Sequence, residues 1–577
     1  MMASLMRTCA VAFLGVGGSL ACGHLAFEDM PVEEADAAGP PTVDAGAQAE
    51  GSADANGGAD ADASLDASAD ADASDAGDGG CVGPTCVGTY VSGTTGDDLK
   101  PGTAASPVKT IKKAMAIAVA LGGKQKVYVA ATHYPEKVTL SEGVELLGGY
   151  DCDAITCTWT RDVIKHDTAI LDQDDEGVLA PKTVTRQSVL DGFRVMGKAG
   201  VPTVFPGSAA ISLLSGTPTI TRCRIFGGDV TGGAPYARSI GVAILGPSAE
   251  ASGALIDRNA ISGGASTDAS IGVLFGNKLG ATVGSTAVAV VSANVIRSGA
   301  APFTSAILAW ASGVGTVIRN NEITAGTSIV SGNTNASSWG ISVQSTMTID
   351  RNRINADLVN AGGCTQSVSG NFCGGIQSQG STSTITNNVV LGGTGPKTCA
   401  VLLADGEAAL GEVSLNSNTL EGGGNTATDG TLSAAIAVRI SVGNSASIGK
   451  VRNNILLGGV NKNRYGVYEE AAAGKTARPV ALDNNDFWHV GAPRNDYAYR
   501  TWNGTTGADL PFAQLATTGA TPNGNLNVDP QLDATYHLAL TSPVIDKGTA
   551  TEAPGHDVDG DGRPMGGLFD IGADEAK

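Results

Sequence analysis

One position in this chain returns as asparagine again and again. Aligned on it, ten segments read LDGFRV (190–195), ITRCRI (220–225), IDRNAI (256–261), VSANVI (291–296), IRNNEI (318–323), IDRNRI (349–354), ITNNVV (385–390), LNSNTL (415–420), VRNNIL (451–456) and LDNNDF (482–487). The fourth residue is Phe193, Cys223, and then Asn259, Asn294, Asn321, Asn352, Asn388, Asn418, Asn454 and Asn485. Spacing varies around a mean of about 32 residues, inside the range that marks repeat architectures. Three residues earlier stands Leu, Ile or Val; two residues later stands an aliphatic or Phe.

A single geometry accounts for these columns. If each period is one coil of a parallel β-solenoid, aliphatic columns stack into a dry interior. Asparagine tolerates the left-handed conformation of a sharp bend, and stacked amides hydrogen-bond from coil to coil. A second short strand lies between ladder segments, as in GVAIL (241–245), GVLF (272–275), GISV (340–343), AVLL (400–403) and GVYE (466–469). Glycine after the strand (Gly263, Gly299, Gly326, Gly392, Gly422, Gly458) is expected to supply the next turn. The Asn column is read as structural rather than catalytic. A leucine-rich horseshoe, the rival repeat fold, would need a longer Leu consensus and commonly a helix per repeat.

Over roughly residues 90–490 this pattern resembles the right-handed parallel β-helix repeat proteins. Tyr90-Val91-Ser92, Gly96-Asp97-Asp98, Pro101-Gly102-Thr103 and Pro107-Val108-Lys109-Thr110-Ile111, followed by an Ala-rich helix to about Leu121, resemble the opening of that family. Ser106 is the expected helix cap and Pro107 its first turn; the helix would cover the open end of the solenoid. The resemblance implies an all-β fold with an N-terminal cap helix over 81–490. The tail, with Asn527-Val528-Asp529-Pro530, Ser542-Pro543-Val544-Ile545-Asp546, Asp557-Val558-Asp559-Gly560-Asp561-Gly562-Arg563-Pro564 and Asp570-Ile571-Gly572-Ala573-Asp574-Glu575, is similar to a choice-of-anchor Q C-terminus. It is assigned to a closing segment, 491–577. This resemblance implies surface anchoring in bacteria and says little about chemistry.

The N-terminus points the same way. Arg7 precedes an apolar run, Cys9 to Leu20, too short to span a bilayer, so residues 1–21 read as a signal peptide. Ser19-Leu20-Ala21-Cys22-Gly23 resembles a bacterial lipobox with Cys22 as the lipidated residue, although Leu sits at −2 and Ser19 at −3. Ordinary cleavage and secretion is the plainer alternative. Residues 22–80 are Ala/Asp/Gly/Ser low complexity; from His24 to Gly80 there are 15 acidic residues and no Lys or Arg. Such a stretch lacks the apolar mass to fold and is expected to be an extended linker. It supplies most of the net charge of −21, and the acidity excludes duplex nucleic acid as a partner. The expected location is the outer membrane or cell surface, through an N-terminal lipid.

Export suits the cysteines. Cys81/Cys86, Cys152/Cys157 and Cys364/Cys373 are the disulfide candidates, leaving Cys223 and Cys399 over; no His stands at zinc-ligand spacing beside them. Asp557, Asp559 and Asp561 before Gly562 match the first six positions of a calcium loop, but position twelve is Leu568 rather than Glu, so calcium competes with a plain acidic turn. A second acidic group, Asp172, Asp174, Asp175 and Glu176, reads as a solvated turn.

The resemblance also implies a candidate activity, since many β-helix proteins cleave polysaccharides. Hydrolases of that kind carry Gly-His-Gly and Arg-x-Lys, yet the six His are 24, 133, 166, 489, 537 and 556, none inside coils 190–485. Arg222, Arg258 and Arg351 share a column beside the ladder and are candidates for binding acidic sugars, against plain solubilising charge. Trp310 and Trp339 are candidate stacking platforms for sugars, against simple packing. The expected function is a surface lipoprotein presenting a glycan-binding face. The alternatives are an extracytoplasmic polysaccharide lyase or hydrolase, and a structural spacer.

Overall fold

The computed structural model describes residues 87–577 except 153–156, 172–175, 203–206, 233–236, 249, 277–286, 311, 329–336, 357–371, 381, 406–411, 425–430, 441–445, 448, 473–476, 490–494, 503–504 and 519–520. The signal peptide, Cys22, the linker, Cys81, Cys86 and Cys364 lie outside the described residues. The described residues belong to one compact unit.

That unit is a right-handed parallel β-helix with long sheets of 14, 12 and 13 strands. Twelve successive coils contribute one strand to each, and the extra strands lie at the two ends. In one coil the first sheet takes Ala254–Asp257, the second Ala260–Ser262 and the third Ala269–Phe275. Each ladder segment is therefore two strands, split by a bend, and not one. Like residues stack in register: Leu190 on Ile220, Ile220 on Ile256, and Ile256 on Val291. All four are fully buried, each burial contributing about 1.5–3 kcal/mol.

The Asn column is a continuous hydrogen-bonded ladder. Asn352 Nδ2 donates to Ile318 O at 2.9 Å, to Asp350 O at 3.0 Å and to Asn388 Oδ1 at 3.0 Å. Asn352 Oδ1 accepts from the Asn321 backbone N at 3.1 Å and from its Nδ2 at 2.9 Å. The column also gains a rung that the periodicity missed, since Asn485 Nδ2 donates to Asn525 Oδ1 at 3.1 Å. The left-handed seat is not the ladder Asn but the residue before it: Arg222, Arg258, Ala293, Asn320, Arg351, Asn387, Ser417, Asn453 and Asn484 have φ between 50° and 56°. The bend turns there, and this points the next amide inward.

The glycines after the strand also differ from expectation. Gly263, Gly299 and Gly326 are absent from the positive-φ residues. They are required by close approach. A Cβ on Gly263 would stand 2.5 Å from Ser270 Oγ, and one on Gly326 would stand 2.0 Å from Gly299 O. Ser270 Oγ in turn accepts from Gly299 N at 2.7 Å, part of a hydroxyl column along the third sheet.

Helix α1 spans Ile111–Leu121, with Thr110 rather than Ser106 as its N-cap. The start moves because Val108 bridges Val91 in extended conformation. Glu136 accepts from the Ile111 and Lys112 amides at 2.8 and 3.0 Å, satisfying the helix's first donors. Ile111, Ala114, Met115 and Ala118 join the solenoid core.

The C-terminal region splits into two jobs. Asn495–Trp502 pairs antiparallel with Gly507–Leu510, and Tyr499, Trp502, Leu510, Phe512 and Leu515 pack against the end of the core. Residues 526–576 do not close the end. They run back along the outer face of the second sheet, where Ile455 and Leu457 pack with Leu538, Val544 and Ile571. Polar contacts fasten this strap: Asn453 Nδ2 donates to Thr549 O at 2.8 Å, and Arg353 Nη1 to Thr535 O at 2.8 Å.

Candidate functional site

Side chains alternate along each strand of the third sheet, so residues beside the inward column face outward. Ser342 stacks on Gln377 in register, and its Oγ donates to Gln377 Oε1 at 2.9 Å. Two residues on, Gln344 Nε2 donates to Gln379 Oε1 at 2.8 Å. Ala309 pairs with Val343, which places Trp310, Gln344 and Gln379 in one column on three successive coils. Trp310 is half-buried. The Arg238 guanidinium sits 5.4 Å from its ring centroid, and Arg238 Nε meets Asp268 Oδ2 at 3.3 Å.

Together with Phe303 these residues border an open groove of about 360 Å³. It joins an aromatic face, planar amides stacked one coil apart and a single ion pair. An aromatic face takes the apolar face of a sugar ring, and amides match hydroxyls as donors and acceptors.

The other candidates lie elsewhere. Trp339 is 2% exposed and packs with Phe372, Cys399 and Leu402, so its ring offers no open face. Arg222, Arg258 and Arg351 do share a line, but at the bend between the first and second sheets, away from Trp310. Each is paired: Arg222 Nε with Asp191 at 2.9 Å, Arg258 Nε with Asp257 at 2.7 Å and Arg351 Nε with Asp350 at 2.9 Å.

One oxygen each of Asp557, Asp559 and Asp561 gathers within 4.8 Å of the others. Those groups already have partners. Asp557 Oδ1 accepts from the amides of Asp559 at 3.0 Å and Asp561 at 2.8 Å, Asp559 Oδ2 meets His537 Nε2 at 2.7 Å, and Asp561 meets Lys577 Nζ at 2.5 Å. Cys152 is bonded to Cys157; Cys373 is disulfide-bonded. Cys223 and Cys399 are free and buried, and burial pushes the Cys223 thiol up to about 12.

Sequence reasoning found Trp310 and missed Arg238, Asp268, Gln344, Gln377 and Gln379. A signal was present: Gln344 and Gln379 occupy the same repeat position as Trp310, three residues beyond the inward Ile307, Ile341 and Ile376. No family model and no curated protein matches the chain. Among solved structures, the pectate lyase Pel9A is similar at 11% identity and TM-score 0.39, over 86% of this chain and 98% of that one. The complex of XylC with xylose is similar at 12% identity and TM-score 0.40, over 84% and 98%. The tailspike protein gp49 of Acinetobacter baumannii bacteriophage Fri1, a capsular polysaccharide depolymerase, is similar at 10% identity and TM-score 0.31, over 75% and 64%.

Proposed function

We propose that the protein is a lipid-anchored surface protein that binds glycan chains in the Trp310 groove. The observation that carries this reading is the column Trp310–Gln344–Gln379, which repeats one contact position at the coil spacing of about 4.8 Å. A polymer of sugar rings lying along the solenoid axis meets a ring face and then amide after amide. Lipidation at Cys22, the acidic linker and the choice-of-anchor-like tail would hold this face at the bacterial surface.

Binding without cleavage is favoured by the ladder carboxylates. Acid–base hydrolysis needs two carboxyl groups roughly 5–9.5 Å apart. Asp191 and Asp257 flank Thr221 in register, two coils apart, which is about 10 Å. Asp191, Asp257 and Asp350 are each ion-paired to an Arg. The test is a glycan array probed with the mature protein, with reducing ends assayed in parallel. Binding without new reducing ends supports the reading; cleavage abolished by substituting a coil Asp would replace it with the enzyme.

A further inference from the structure

We infer that the Trp310 groove selects sugars bearing an acetamido group, read by Arg238, Asp268 and Phe303. The inference rests on the glycan-binding reading of this groove and names its ligand class. Arg238, Ala269 and Phe303 occupy one register position on three successive strands of the third sheet. Asp268 and Pro302 directly precede the last two. A guanidinium, a carboxylate and an apolar surface are thus gathered on one wall of the open volume that Trp310 also borders. Phe303 and Trp310 both pack over an apolar floor that includes Ile271, Leu274 and Leu308. A sugar stacked on Trp310 therefore carries its substituents toward this wall.

The guanidinium has donors to spare. Arg238 Nε meets Asp268 Oδ2 at 3.3 Å, and Nη1 is buried with no hydrogen-bond partner. Among the described residues Nη2 has none either. The Trp310 ring lies against the guanidinium, centroid to carbon 5.4 Å, and supplies no acceptor. Asp268 is exposed, and its side chain makes only the contact through Oδ2, which leaves Oδ1 to accept. A fitting ligand group must therefore offer one acceptor to Arg238 and one donor to Asp268. It must also be neutral, because the pair is already balanced. A uronate carboxylate would stand against Asp268, and an ammonium against Arg238. Two neighbouring hydroxyls meet the hydrogen-bond count but set polar groups against Phe303 and Ala269. An acetamido group meets every condition: its carbonyl accepts, its N–H donates and its methyl packs on the Phe303 ring. A sugar without it leaves the guanidinium donors unpaired in the closed groove, which is costly. Gln344 and Gln379 remain for the hydroxyls of neighbouring sugars.

The test is calorimetric titration of the full-length protein with chitotetraose, cellotetraose and de-N-acetylated chitotetraose. These share one backbone and carry acetamido, hydroxyl and amino groups at the same ring position. Chitotetraose should bind about tenfold or more tightly than either of the others. This comparison is made on the wild type and depends on no variant folding. Arg238→Met keeps an aliphatic contact with Trp310 and removes the donors, so it should lower chitotetraose to the level of cellotetraose. No binding of chitotetraose, equal affinity for chitotetraose and cellotetraose, or a preference that survives Arg238→Met would overturn the inference. The glycan-binding reading fails on a different result: no glycan of any class losing affinity in Trp310→Ala.

Discussion

Asn352 and Asn388 are joined twice through one atom: Asn388 Oδ1 accepts both the Asn352 backbone N at 2.9 Å and its Nδ2 at 3.0 Å. Both side chains are fully buried, so neither rung has water to fall back on. Asn352→Leu should cost on the order of 1–3 kcal/mol by orphaning the Asn321 N–H and the Ile318 carbonyl on the preceding coil and removing one of the two donors to Asn388 Oδ1. Urea unfolding of the two proteins measures it, and equal midpoints would count against a cooperative ladder.

Gly326 tests the close-approach account of the repeat's glycines. A Cβ there would meet Gly299 O, a backbone atom, at 2.0 Å. Gly326→Ala should destabilise by about 1–3 kcal/mol, the usual cost of overpacking. Gly555 has nothing within 4 Å of its ideal Cβ, so Gly555→Ala should stay within about 0.5 kcal/mol. A thermal melt reporting equal effects would remove the distinction.

Glu469 gives a pH dependence. It points into the solenoid beside Tyr499 Oη, accepts from Trp502 N at 2.8 Å, and burial raises its pKa from 4.5 to about 7. The folded protein thus holds this proton more tightly than the unfolded chain. The group is neutral and harmless below about pH 4.5, and stability is lost as pH climbs from there through about 7. Glu469→Gln should remove this loss, gaining on the wild type by on the order of 3 kcal/mol between pH 4 and pH 8. Unfolding free energies whose difference is flat with pH would contradict it.

The proposed anchoring rests on Cys22. Cys22→Ser should move the protein from the membrane fraction into the soluble exported fraction. Fractionation and blotting read this directly, and a wild type already soluble would reject the lipid anchor.

What the sequence made legible was whatever the solenoid repeats. The Asn and aliphatic columns recur at fixed offsets because each coil must satisfy the one above it. The left-handed seat escaped notice because Arg, Ala, Asn and Ser all fill it, so no residue type flags it. The strap left a fainter trace. The outward positions of the second sheet are apolar at Val389, Leu391, Ile455 and Leu457, beneath or beside it, and charged at Arg194 and Arg224, which it does not cover. Asp167 bridges those two arginines instead. The groove was half legible: an aromatic such as Trp310 stands out in a chain with 5% aromatics, whereas Gln344 and Gln379 gain meaning only from register. Trp339 shows the limit of the same argument, because a conspicuous aromatic in the same sheet is wholly buried.

The glycan-binding claim is tested most directly by affinity for the best array hit in wild type, Trp310→Ala and Gln344→Ala. Losing the aromatic platform should weaken binding at least tenfold, and losing the amide about threefold or more, with the melting temperature of Trp310→Ala changed little because its ring is only half-buried. Trp339→Ala serves as the contrast: it should cost about 3–5 kcal/mol of stability through the cavity it leaves, without removing the binding surface. Wild-type affinity in Trp310→Ala would contradict the account.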